Sequence, residues 1–149
     1  MMKIIFLTHI LIALARPPLI AYTGQPLELS ANGLRSAEAN KAAKYAAQHI
    51  LQEKLTNWHL PRCVEVIPEI LYGTYKVVAG IEYNIHLRLT YKPIADQNQI
   101  CRSAQHIFQD EECTAAVVYQ PYKPTAESVL ALLAKQCQET EPFFPEARE

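Results

Sequence analysis

The chain has 149 residues, with 14 Lys plus Arg against 15 Asp plus Glu, for a formal net charge of -1. That balance argues against nucleic acid as a partner, since phosphate binding demands a surplus of cations, and against a polybasic membrane surface. Half the residues are apolar and 19% are charged, which suits one packed domain and excludes wholesale disorder.

The N-terminus carries Lys3 and then an apolar run from Ile4 to Ala15, broken only by Thr8 and His9. The run is shorter than the roughly 20 residues a spanning helix needs, and a short cationic start before it matches a secretory signal. Cleavage can fall after Ala15 or near Ala21, and the second gives the more usual length. From Ser36 to about Trp58 the apolar positions are Ala39, Ala42, Ala43, Ala46, Ala47, Ile50, Leu51, Leu55 and Trp58. A spacing of three and four predicts one helical face, with Ser36 as its cap and Pro61 beyond its end. Alanine fills the first half of that face, so the helix is expected to lie close against a concave sheet.

A β-rich half follows. Cys63 to Leu71 reads as a strand region, with Pro68 suggesting a bulge or an edge and Gly73-Thr74 interrupting it. Residues 77–91 alternate, with Ile81, Tyr83, Ile85, Leu87, Leu89 and Tyr91 opposing Glu82, Asn84, His86, Arg88 and Thr90. This is the pattern of a half-buried strand in an antiparallel sheet. Residues 92–110 read as a long loop, 113–122 as another strand, and Pro121-Tyr122-Lys123-Pro124 as a turn. The segment Ala126–Cys137 is two-sided: Leu and Ala favour helix, but its place after a strand and turn favours a returning strand.

The four cysteines are Cys63, Cys101, Cys113 and Cys137, with no C-x-x-C. Behind a signal, an even count reads as two disulfides rather than a zinc ribbon or a thioredoxin-like site. None of Asn32, Asn40, Asn57, Asn84 and Asn98 has Ser or Thr two positions on, so N-glycosylation is not expected. His49, His59, His86 and His106 show no metal-ligand spacing, and no Ser-His-Asp, P-loop or dinucleotide pattern is found. An enzyme, a cofactor and a resident metal are therefore not expected.

The order helix, strand, strand, long loop, strand, turn, final element resembles the cystatins, inhibitors of papain-like cysteine proteases. Lys76-Val77-Val78-Ala79-Gly80, followed by Ile81-Glu82-Tyr83, is similar to the family's Gln-x-Val-x-Gly motif. Some 41 residues downstream, Pro121-Tyr122 resembles the Pro-Trp of the second hairpin. The resemblance spans roughly residues 33–138. It departs at Lys76 (Gln in the family), at Tyr122 (Trp in the family), in a longer stretch between helix and first loop, and in the cysteine layout.

The resemblance implies an α+β fold, one long helix on a curled antiparallel sheet of four to five strands. It implies a Cys113–Cys137 disulfide, which leaves Cys63 and Cys101 for a second. It also implies a wedge of an N-terminal segment hinged at a glycine and two hairpin loops, so the protease-binding residues would be Gly33, Lys76, Val77, Val78, Ala79, Gly80, Pro121 and Tyr122. Gly33 is preferred as the hinge; Gly24, in Gly24-Gln25-Pro26, is the alternative. The expected layout is a signal peptide over 1–21, an N-terminal segment over 22–35, a cystatin-like domain over 36–138 and an acidic flexible tail over 139–149. The implied protein is a secreted extracellular monomer that blocks cathepsin-type proteases reversibly, without nucleic acid, membrane or cofactor. The competing reading keeps the fold but makes it a non-inhibitory, protein-binding module.

Overall fold

In the computed structural model, residues 24–94, 99–103, 107–125 and 129–138 are described. The expected signal over 1–21 and the expected tail over 139–149 lie outside them. The long helix forms where its stripe predicts, and its ends show why. Ser36 takes an extended conformation and its Oγ accepts the Ala39 N–H at 3.2 Å, satisfying one of the free donors of the first turn. At the other end the His59 N–H bonds the Thr56 carbonyl and the Leu60 N–H bonds the Leu55 carbonyl. This is a Schellman closure, with His59 at φ 52 in the left-handed position that glycine usually fills.

Numbered in chain order, the elements are β1 (Leu27–Glu28), α1 (Ala31–Leu34), α2 (Ala37–Asn57), β2 (Val64–Val78), β3 (Gly80–Pro93), α3 (Gln99–Ser103), β4 (Glu111–Tyr119) and β5 (Leu130–Cys137). The five strands form one antiparallel sheet in the order β1-β2-β3-β4-β5, and α2 packs across it. The register shifts between Ile70 and Tyr72, and again between Ala116 and Val117. Such bulges add local twist, and they bend the sheet around the helix. Ala39, Ala42, Ala43, Ala46 and Ala47 are almost fully buried beneath it, because a methyl group lets the helix backbone come close to the strands. Ile50, Leu51 and Leu55 meet Val64, Val66, Ile85, Leu87, Leu89, Cys113, Ala115 and Val117 in the same core.

Several expectations change. β2 does not stop at Gly73-Thr74 but runs on to Val78. Gly73 pairs with Ile85, and a Cβ there would lie 2.7 Å from the Asn84 carbonyl, so this glycine permits close strand contact rather than a turn. Val77 and Val78 accordingly finish β2, and β3 starts at Gly80. The segment expected as a plain N-terminal extension holds β1 and α1, with Leu27 opposite Tyr75 and Glu28 opposite Thr74. The long loop contains α3. The two-sided C-terminal segment is strand β5: its Leu and Ala propensity yields to pairing with β4, which places Cys113 opposite Cys137.

Both disulfides are present, Cys63–Cys101 and Cys113–Cys137. The first ties the start of β2 to α3, and the second joins β4 to β5. Near the C-terminal end of α2, the buried Glu111 carboxylate accepts the Tyr91 hydroxyl and pairs with Lys54 at 3.1 Å. Burial, with Glu111 beside it, pushes the Tyr91 phenol far above its ordinary range. This polar cluster fixes the helix end over β3 and β4 by charge and hydrogen bond rather than by area alone.

Candidate functional site

At one end of the sheet three separate stretches of chain come together. The β2–β3 hairpin turns at Ala79, with Val78 opposite Gly80 and Val77 opposite Ile81. So tight a reversal needs a residue outside the usual backbone regions, and Gly80 supplies it at φ +120. A Cβ on Gly80 would lie 2.4 Å from the Tyr119 carbonyl oxygen and 2.9 Å from Gln120 Cγ. The missing side chain therefore also lets the β4–β5 hairpin seat against the first tip.

The second hairpin turns through Pro121 and Tyr122, where the Lys123 N–H bonds the Gln120 carbonyl at 3.1 Å. Its side chains reach back to the first tip. The Tyr122 hydroxyl donates to the Ala79 carbonyl at 2.8 Å, and Gln120 Nε2 donates to the same oxygen at 2.7 Å. On the flank, the Gly24 N–H donates to the Val77 carbonyl at 3.1 Å, continuing the β1 edge to the tip. Across the base of the first hairpin, Lys76 Nζ pairs with Glu82 Oε1 at 3.0 Å, and Asn84 donates to the same carboxylate at 3.1 Å. Burial opposes ionisation of Glu82, but the bonds from Lys76 and Asn84 outweigh it and hold the carboxyl below its ordinary range.

The resulting edge is apolar at its apex and fixed underneath. Val77 is 55% exposed and Tyr122 63% exposed, and Ala79 stands between them on the surface. Exposed apolar side chains on a hairpin restrained from three sides form a surface suited to burial against a partner.

Of the predicted site residues, Lys76, Val77, Val78, Ala79, Gly80, Pro121 and Tyr122 are brought into this one edge. Gly33 is not among them. It lies in α1, where its N–H caps onto Ser30 Oγ at 3.2 Å, and a Cβ there would meet Leu29. The glycine that flanks the tip is Gly24, the alternative hinge. Two contributors escaped sequence reasoning. Glu82 becomes visible once the turn is placed at Ala79, because the residue three positions after the apex must face Lys76, three before it. Gln120 gives no such signal, since its role exists only when two distant hairpins are side by side.

Elsewhere among the described residues the side-chain chemistry is sparse. Glu111, Cys113 and Cys137 have their donor atoms within 4.8 Å of one another, but both sulfurs are spent in a disulfide and offer no thiolate to a metal. On the outer face of the sheet, His86 stacks under Tyr72 and meets Glu112 at 3.1 Å, beside the Arg88–Glu69 pair. No described helix is long and apolar enough to cross a membrane. In comparisons with known proteins, no family model and no curated protein matches this chain.

Proposed function

We propose that this protein is a secreted, reversible inhibitor of papain-like cysteine proteases, acting as cystatins do by plugging the active-site cleft. The observation that carries the reading is the edge itself: Gly24, Val77–Gly80 and Pro121-Tyr122, from three stretches of chain, converge at one end of a disulfide-braced sheet. In this reading the fold is cystatin-like, the chain works as a monomer, and the two disulfides suit an extracellular setting.

The chemistry follows from the residue types. Val77 and Ala79 have little rotamer entropy to lose on docking, so most of their burial free energy is retained. Burying what remains exposed of the Val77 and Tyr122 side chains, a little over half of each, contributes about 1–2 kcal/mol each. The tip enters the cleft as a folded hairpin and offers no extended peptide bond to the catalytic thiolate, so the inhibitor leaves uncleaved. Lys76 and Tyr122, the departures from the family pattern, both form bonds within the edge and keep its shape.

Titration of papain and a cathepsin L-type protease with the purified protein tests this. Stoichiometric loss of activity at protein concentrations on the order of nanomolar is expected, since well-packed protease–inhibitor surfaces reach that affinity. Full protease activity at micromolar protein would instead favour the non-inhibitory binding module.

A further inference from the structure

We infer that Gln120 and Tyr122 are positioning residues that lock the first tip through the Ala79 carbonyl, so that the two hairpins act as one pre-set edge. The inference rests on the inhibitor reading and gives Tyr122 a part beyond that of a contact anchor and Gln120 a part of its own. A carbonyl oxygen has two lone pairs, and here both are taken by side chains of the other hairpin, at 2.7 and 2.8 Å. Ala79 is the apex of the turn and stands in solvent. Without those donors its carbonyl would bond water, and the peptide between Ala79 and Gly80 would be free to reorient at a residue with φ +120.

The rest of the tip is held in the same way. Lys76 and Glu82 pin its base, Gly24 pins its flank, and the space where a Gly80 side chain would stand is filled by Tyr119 and Gln120. Tyr122 thus divides its work: its hydroxyl is engaged inside the molecule, while its exposed ring is left for the protease. A loop populating its binding-competent shape only part of the time associates more slowly by that fraction. Losing the lock should therefore act on the association rate, and losing a contact on the dissociation rate.

Tyr122→Phe keeps the ring and Gln120→Met keeps the length, and each removes one donor. Papain association and dissociation are measured by stopped-flow and surface binding, and the Ala79 carbonyl carbon resonance is followed by NMR in the free proteins. A remaining donor still holds the oxygen, so each single variant should slow association about threefold and the pair about twentyfold. Dissociation should stay within about twofold, and the Ala79 resonance should move in step with the loss of donors. Association unchanged in the pair overturns the inference, whether or not the resonance moves. A resonance that stays put, or a loss that appears mainly in dissociation, overturns it too, because the side chains would then act by direct contact. Failure of the parent protein to inhibit is a separate result, which removes the inhibitor reading and this inference with it.

Discussion

Gly80→Ala is the sharpest perturbation the edge allows. An alanine at φ +120 is strained by about 1–3 kcal/mol on backbone grounds alone. Its Cβ would also stand 2.4 Å from the Tyr119 carbonyl oxygen, about 1 Å inside contact distance, so the hairpins must part. Parting them gives up the two hydrogen bonds on the Ala79 carbonyl, at about 0.5–1 kcal/mol each for exposed groups. We expect a loss of about 2–5 kcal/mol, a substantial part of a typical domain's stability. Urea unfolding followed by circular dichroism should show the midpoint falling by about 1–2.5 M, taking a slope of about 2 kcal/mol per M, mid-range for a chain of this size. A variant within about 0.5 kcal/mol of the parent would refute the reasoning, because surface substitutions free of strain sit in that range.

Further expectations follow from other positions. Val77→Asp should weaken papain inhibition at least about a hundredfold by placing a charge in an apolar contact, yet cost no more than about 1 kcal/mol in urea unfolding, because the side chain is more than half exposed in the free protein. His59→Gly should raise stability by about 0.5–1 kcal/mol in the same unfolding assay, as the left-handed closure of α2 no longer carries a Cβ. The Glu82 side-chain carbonyl carbon, followed by NMR, should titrate below the ordinary carboxyl value of 4.5. Since its folded value is depressed, its contribution to stability is present above that ordinary value and is lost as pH falls through the folded one. A midpoint at or above 4.5 would contradict the Lys76–Glu82–Asn84 arrangement. Replacing Cys113 and Cys137 together by serine opens a loop with a sequence separation of 24. Calorimetry should show a loss of about 3.5 kcal/mol in the chain-entropy picture.

What could be read from the chain was whatever depends on local pattern. The stripe from Ala39 to Leu55 marks a helix and its buried face because its period matches 3.6, and the Ser36 cap obeys backbone chemistry confined to one turn. The alternation from Ile81 to Tyr91 fixed which face of β3 is buried. Gly73 was misread as a break because a glycine looks the same in a sequence whether it turns the chain or admits a neighbouring backbone. β5 stayed two-sided because its pairing with β4, not its own propensity, decides it. For the site, spacing and residue type brought out the Lys76–Gly80 stretch and Pro121-Tyr122, but the choice between Gly24 and Gly33 depended on the path of a segment whose β1 pairing is only two residues long. Gln120 lay outside reach altogether, since one side-chain amide bonding a carbonyl 41 positions away leaves no periodic trace.

The central claim is that the apolar edge built from the two hairpins is the surface that meets a protease. Amide chemical-shift mapping on the isotope-labelled protein, titrated with papain whose catalytic cysteine has been blocked, addresses it directly. The account predicts that the largest changes fall on Gly24, Val77, Val78, Ala79, Gly80 and Tyr122, with α2 and the outer sheet face around His86 left unmoved. An unchanged spectrum at saturating protease, or changes centred on His86 or on the Trp58 end of α2, would contradict it.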